Sequence, residues 1–191
     1  EKVTEGLDGL RDRLAEYYAM GARFSKWRAV ITIGDDIPSM ACLEANAHGL
    51  ARYAMLSQEA GIVPIVETEV LMDGSHTIER CYEVIELAQR MTFQQLKTQG
   101  VLMEGMVLKP SMVISGADAA QHADVETVAR ETVRCLLNTV PAAVPGIAFL
   151  SGGQSDAEAS AHLSAMHNLD IQLPWNLTFS YGRALQQSAM S

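Results

Sequence analysis

Short apolar segments alternate with longer segments of helical periodicity along the whole chain. The apolar segments predict β-strands centred on Trp27, Val66, Val107, Phe149 and Phe179. They are apolar throughout, as is typical of strands whose two faces are both covered. The alternation of strand and helix predicts an α/β fold built on a parallel sheet.

Helices are predicted where apolar residues recur at helical spacing between residues that begin and end helices. Asp124 is a predicted N-cap, and Ser155 with Glu158 has the spacing of a capping box. The predicted helices cover residues 4–18, 38–55, 75–100, 124–140, 155–168 and 183 onward.

The predicted strands recur about thirty to forty residues apart, which is the spacing of a (β/α)8 barrel. A closed barrel needs eight strands and typically ~250 residues, whereas this chain has 191 residues. We therefore predict a TIM (β/α)8 barrel of which about five β/α units lie in this chain. No linker divides residues 1–191. We expect one domain from which three strands of the barrel are missing.

Composition argues against several classes of function. The formal net charge of −9 and the pI near 4.9 argue against binding to nucleic acid or membrane surfaces, because polyanions require a basic face. Three widely spaced cysteines match neither a disulfide framework nor a zinc site. The sequence shows no signal peptide and no apolar stretch long enough to span a bilayer. These features predict a cytoplasmic, reducing compartment.

Polar and charged side chains occur near the carboxyl ends of the predicted strands, where barrel active sites lie. Pairs spaced two residues apart on one strand share a face. Each residue alone has an ordinary explanation as a solvated charge or a turn residue, but five successive strand ends of a barrel converge on one mouth. The candidate residues are Lys26, Arg28, Glu67, Glu69, Lys109, Ser151, Gly152, Ser180, Gly182 and Arg183.

These residue types support carbonyl chemistry. A lysine among apolar walls and other cations loses its proton more easily, and the neutral amine attacks a carbonyl to form a Schiff base. Lys109, at the end of an apolar strand, is the candidate nucleophile. We expect Glu67 to move the proton of the leaving oxygen, and Glu69 to hold the charges of Lys26 and Lys109 in place.

The polar groups at the last two strand ends suggest a phosphate site. The glycine turn at Gly152 and the helix start at Arg183 offer backbone N–H groups and a guanidinium. Arg28 is available for a second anionic group. Two anion sites favour a bisphosphate substrate over a monophosphate.

Six segments resemble successive motifs of class I fructose-1,6-bisphosphate aldolase, in order along essentially the whole chain. They are "GLDGLRDRL", "ARFSKWRAVI", "GIVPIVETEVLMDG", "EGMVLKPSMV", "TVPAAVPGIAFLSGGQS" and "PWNLTFSYGRALQ". The resemblance implies a lyase that cleaves fructose 1,6-bisphosphate reversibly to dihydroxyacetone phosphate and glyceraldehyde 3-phosphate, in glycolysis and gluconeogenesis. It also implies a homotetramer whose partner is a small phosphorylated sugar and which uses neither a metal nor another cofactor.

The resemblance also implies roles for individual residues. Lys109 is the Schiff-base lysine, and Glu67 is the general acid and base that also assists imine formation. Lys26 and Glu69 are their partners in the active site. The remaining residues bind the two phosphates of the substrate. Arg28 binds the distal phosphate. The ketose-side phosphate is bound by Ser151, Gly152, Gly182 and Arg183.

The chain departs from the family pattern beside two of these positions. Thr68 stands where the family generally has proline, and Ser111 where it generally has asparagine. The family also places a catalytic aspartate and a phosphate-binding lysine on strands that precede Glu1, and a flexible tail beyond Ser191. The resemblance therefore implies that residues 1–191 form the central to C-terminal part of an aldolase-type barrel, without its N-terminal strands and C-terminal tail. We expect small changes of loop geometry at Thr68 and Ser111, since the charged residues are kept.

Two other functions stay open from the sequence. One is a non-catalytic binding or scaffold protein that keeps the barrel, which the absent aspartate and the departures at Thr68 and Ser111 suggest. The other is a different Schiff-base enzyme, of the transaldolase or deoxyribose-phosphate aldolase kind. A metal-dependent aldolase is disfavoured because the five histidines show no clustered ligand spacing.

Overall fold

The computed structural model describes residues 1–190, except for the side chains of Arg183, Gln187 and Ser188. The five strands are β1 Phe24–Ile31, β2 Val63–Val70, β3 Val107–Pro110, β4 Gly146–Phe149 and β5 Asn176–Phe179. The helices are α1 Leu10–Ala19, α2 Met40–Glu59, α3 Ile78–Thr98, α4 Val125–Thr139, α5 Asp156–His167 and α6 Arg183–Met190. A single 3₁₀ turn covers Met103–Gly105.

The strands form one parallel sheet in the order β1-β2-β3-β4-β5. Helices α1, α2, α3 and α4 each contact the next helix along the chain. Parallel strands joined by right-handed crossovers in chain order place all their helices on one face. The predicted α/β architecture with five β/α units is confirmed, and the arrangement is that of part of a TIM barrel.

The hydrophobic core lies between the sheet and this helical layer. Val66, Leu108, Ile147 and Phe149 are fully buried, and Trp27 stacks on Tyr53 of α2 with ring centroids 5.4 Å apart. Because side chains alternate across a strand, the neighbours of these residues in sequence lie on the opposite face. That opposite face therefore receives the charged residues of β1, β2 and β3.

Helix α1 begins later than the sequence predicts, at Leu10 rather than Thr4. Gly6 and Gly9 have φ angles of 133° and 66°, which are outside the helical region. The Thr4 hydroxyl instead donates to the carbonyl of Arg28 at 2.6 Å. Residues that precede α1 are thus bonded to the sheet.

The predicted helix caps are present. The Asp124 side chain accepts from the N–H of Thr127 at 2.8 Å, and Ser155 with Glu158 forms a complete capping box. Helix α2 follows Pro38 as expected, with Ser39 as its N-cap. Each cap satisfies backbone donors that the first helical turn leaves free.

The strand predicted from the segment around Lys109 is shorter than its apolar run. The Gln58 side chain bonds both the N–H and the carbonyl of Leu102, at 2.9 and 2.8 Å. The two hydrogen bonds to Leu102 and the 3₁₀ turn that follows them occupy the first half of the apolar segment, so β3 begins only at Val107.

Among residues 1–190, no helix combines the length and the apolar character needed to cross a bilayer.

Candidate active site

A cleft of about 480 Å³ opens on the face of the sheet that the helices do not cover. Its lining comes from β1, β2 and β3 and from the loops that follow β4 and β5, including Leu150. Of the residues predicted from sequence, it brings together Lys26, Arg28, Glu67, Glu69, Lys109, Ser151, Gly152, Ser180 and Gly182. The side chain of Arg183 lies outside the described part of the chain.

The expectation that the charged residues all lie near the carboxyl ends of their strands is wrong for β1 and for Glu67, the fifth of the eight residues of β2. Lys26 is the third of the eight residues of β1, and Arg28 is the fifth. Both cations reach the cleft because their side chains lean along the sheet. Lys26 and Arg28 contact carboxylates that lie two residues farther along β2 than their own partners in the strand register.

Glu67 lies between two lysines. Its Oε2 accepts from Lys26 Nζ at 2.7 Å, and its Oε1 is 3.2 Å from Lys109 Nζ. In the β2–β3 register Glu67 is directly opposite Lys109. The Glu67 side chain is only 4% exposed and that of Lys109 11%, so this pair is largely desolvated. The arrangement places a proton acceptor beside the only cleft amine that is largely buried.

Glu69 is paired with the guanidinium of Arg28. The expectation that Glu69 holds the charges of Lys26 and Lys109 is therefore corrected, because Glu67 contacts both lysines. The hydrogen bond from Arg28 to Glu69 raises the pKa of the Arg28 guanidinium, against the opposing effect of desolvation. The same diagonal offset between β1 and β2 explains both ion pairs.

The turn after β4 borders the cleft at Ser151 and Gly152. Gly152 and Gly153 have φ angles of 63° and 92°, which side-chain-bearing residues rarely adopt. A Cβ on Gly152 would lie 2.9 Å from the side chain of Leu150. Within residues 1–190, no acceptor pairs with the N–H of Gly152 or Gly153. Consecutive N–H groups in a turn form a concave site for an anion.

The end of β5 completes the same edge of the cleft. The Ser180 N–H donates to the carbonyl of Phe149 at 2.8 Å, which continues the β4–β5 pairing beyond the strands. Gly182 has no atom within 4 Å of the position that a Cβ would take.

Among the described residues, no three His, Cys, Asp or Glu side chains are grouped as metal ligands would be.

Ser111 has a role that the sequence did not reveal. Its hydroxyl accepts from the N–H of Val70 at 2.8 Å and lies 3.1 Å from the Val70 carbonyl. Its own N–H donates to the carbonyl of Thr68 at 3.3 Å. Ser111 and Thr68 are both buried. Ser111 therefore joins the end of β3 to the end of β2, two residues after Lys109.

We expect Ser111→Ala to lower the free energy of unfolding by about 1–3 kcal/mol, because a buried backbone N–H loses its partner. Urea unfolding followed by circular dichroism measures this change. The matched control is Ser164→Ala, which removes an exposed hydroxyl from α5. Equal stability of the two variants would contradict a structural role for the Ser111 hydroxyl.

The comparisons with known proteins agree on one family. The family model described as "Glycolytic: Fructose-bisphosphate aldolase class-I" matches residues 1–191. A protein of Xanthomonas axonopodis pv. citri, named "Probable fructose-bisphosphate aldolase class 1", is 63% identical over 190 residues. "Fructose-bisphosphate aldolase 4, cytosolic" of Arabidopsis thaliana is 53% identical over 190 residues. This chain is covered completely in both, but it spans only 57% and 48% of those proteins.

A solved structure gives the same result. The chain is similar to a fructose-bisphosphate aldolase from Plasmodium falciparum, solved in complex with TRAP and a small-molecule inhibitor. The TM-score is 0.96 at 48% identity, with 100% of this chain and 55% of that chain covered. The chain thus spans about half the length of the relatives that it matches.

Proposed function

The chain belongs to the class I fructose-bisphosphate aldolase family, and we propose that it carries the lysine Schiff-base site of such an enzyme. The proposed reaction is the reversible cleavage of fructose 1,6-bisphosphate to dihydroxyacetone phosphate and glyceraldehyde 3-phosphate. One observation carries the proposal: the buried Lys109 Nζ lies 3.2 Å from a carboxylate oxygen of Glu67, in a cleft open to solvent.

In the first step Glu67 takes a proton from Lys109, and the neutral amine attacks the C2 carbonyl carbon of the ketose. The carbinolamine loses water once its hydroxyl is protonated by Glu67, which leaves an iminium ion. Lys26 keeps its 2.7 Å contact with the other oxygen of Glu67 and so holds the carboxylate in place. Glu67 thus takes a proton from the Lys109 amine and later gives it to the carbinolamine hydroxyl.

Carbon–carbon cleavage follows from the iminium ion. A base removes the proton of the C4 hydroxyl, the C3–C4 bond breaks, and its electron pair moves into the iminium to give an enamine. The aldehyde that leaves is glyceraldehyde 3-phosphate. Protonation of the enamine at C3 and hydrolysis of the iminium release dihydroxyacetone phosphate and restore the Lys109 amine. Glu67, which lies beside Lys109, is the proposed proton carrier for these steps.

Two groups of residues are proposed to bind the two phosphates. Ser151 and Gly152 with Ser180 and Gly182 lie at one edge of the cleft and would bind the phosphate of the ketose-side fragment, together with Arg183. Arg28 on β1 lies at the other edge and would bind the distal phosphate. The unpaired N–H groups of the turn after β4 support the first assignment.

The finer properties of the enzyme are proposals from the family. We infer a metal-independent lyase that acts as a homotetramer on a phosphorylated sugar. A cytoplasmic location is inferred because plant relatives are named as cytosolic or cytoplasmic isozymes. Neither nucleic acid nor a membrane is an expected partner, since the net charge is −9.

The proposed reaction is tested with the natural full-length protein in the presence of EDTA. Triose phosphates released from fructose 1,6-bisphosphate are measured with coupled dehydrogenases. We expect turnover that EDTA does not reduce. Turnover of deoxyribose 5-phosphate but not of fructose 1,6-bisphosphate would favour a different Schiff-base aldolase. A substrate complex without any turnover would favour the non-catalytic alternative.

We expect Arg28→Ala to raise the KM for fructose 1,6-bisphosphate about ten- to a hundredfold, which corresponds to the loss of a charged hydrogen bond. The KM for fructose 1-phosphate, which has no distal phosphate, should change by less than about threefold. Steady-state kinetics with both substrates give the two ratios. The matched control is Arg52→Ala, an exposed arginine of α2. Equal effects on both substrates would contradict the assignment of Arg28 to the distal phosphate.

A further inference from the structure

Gln154 connects the turn after β4 to helix α5. Its backbone N–H and its side-chain Nε2 both donate to the carbonyl of Ser151, at 3.1 and 2.9 Å. The same Nε2 lies 3.7 Å from Met112 Sδ, three residues after Lys109. Gln154 is buried, so its amide must find partners within the protein. The turn is therefore held by a side chain that is not itself in the cleft lining.

His162 of α5 fixes the orientation of this amide. Its Nδ1 lies 2.6 Å from Gln154 Oε1. Because Nε2 of Gln154 already donates to Ser151, Oε1 must act as an acceptor, and His162 Nδ1 must carry the proton. A reversed amide would place its oxygen against the Ser151 carbonyl, so that two acceptors would face each other without a proton between them. His162 therefore donates to Gln154, and Gln154 donates to the Ser151 carbonyl.

The contact does not depend on the charge of His162. Burial lowers the pKa of His162, and the Glu158 carboxylate of the same helix opposes this change. Nδ1–H is present both in the required neutral tautomer and in the imidazolium ion. The hydrogen bond to Gln154 is therefore kept in either state.

We propose that His162 and Gln154 act together as positioning residues for the phosphate turn at Ser151–Gly153. With the Ser151 carbonyl held by Gln154, the turn keeps its two glycines in the left-handed region and their N–H groups free for an anion. This inference rests on the proposed function, because the anion is taken to be the phosphate of the ketose-side fragment. Neither residue touches the reacting atoms.

The test compares His162→Leu with His162→Asn in the natural full-length protein. Asparagine keeps an N–H donor at a similar distance from the backbone, whereas leucine has none. We expect His162→Leu to raise the KM for dihydroxyacetone phosphate in the condensation direction about three- to tenfold, with little change in kcat. His162→Asn should restore the wild-type KM within about twofold. A loss of stability alone would not separate the two variants in this way.

Hydrogen exchange at the Gln154 N–H gives a readout that does not require catalysis. This amide donates to Ser151, so we expect faster exchange in His162→Leu and wild-type exchange in His162→Asn. Unchanged exchange and an unchanged KM in His162→Leu would overturn the positioning role, as would failure of asparagine to rescue. Absence of turnover in the wild type would instead overturn the proposed function. The exchange rates would still test whether His162 and Gln154 hold the turn, because exchange does not require catalysis.

Discussion

Replacing Lys109 with methionine is expected to lower kcat for cleavage of fructose 1,6-bisphosphate by at least about a thousandfold, because the nucleophile is lost. Methionine fills a similar volume in a site where only 11% of the lysine side chain is exposed. Lys26 remains to pair with Glu67, so the carboxylate is not left without a cation. The fold should therefore persist while covalent catalysis is abolished.

The control for this variant is Lys97→Met in the last turn of α3, where the lysine is exposed and outside the cleft. Its kcat should equal that of the wild type. Steady-state cleavage rates at saturating substrate, with circular dichroism to confirm folding, decide the outcome. A folded Lys109→Met protein that keeps more than about a tenth of the wild-type kcat would show that another group forms the intermediate.

Glu67→Gln is expected to lower kcat by about 10²- to 10⁴-fold, which is the range for loss of a general acid or base. The amide cannot accept the proton of Lys109. It also has an acceptor at one end only, so one of the two lysines that now contact Glu67 would face an NH₂ group. We therefore expect slower imine formation and a lower free energy of unfolding in the same variant.

Rapid-quench trapping of the imine measures the first effect, and urea unfolding measures the second. The matched control is Glu16→Gln, which changes the same charge at an exposed position of α1. If imine formation in Glu67→Gln is as fast as in the wild type, then another acceptor takes the proton of Lys109. In that case the central position of Glu67 would be structural only.

The order and type of the strands were predictable because the signals for them are local. Apolar runs, caps such as Asp124 and Ser155, and the alternation of elements are all present in short stretches of sequence. The start of α1 was predicted wrongly because the helical periodicity continues across Gly6 and Gly9, while positive φ angles at both glycines exclude a helix there.

The residues that share the cleft were predictable, but their pairings were not. Strand alternation and convergence place Lys26, Glu67, Glu69 and Lys109 on one face. The stagger between β1 and β2 decides which cation meets which carboxylate, and no local pattern encodes it. This stagger pairs Glu69 with Arg28. The contact of His162 with Gln154 could not be predicted either, because it depends on how helix α5 packs against the turn after β4.

The central claim is that the Lys109 amine forms a covalent imine with the ketose. The most direct measurement is borohydride reduction of the natural full-length protein with dihydroxyacetone phosphate, followed by peptide mass spectrometry. We predict a reduced adduct on the peptide that contains Lys109, in an amount that approaches one per chain, and its loss in Lys109→Met. No adduct, or an adduct on Lys26 in place of Lys109, would contradict the claim.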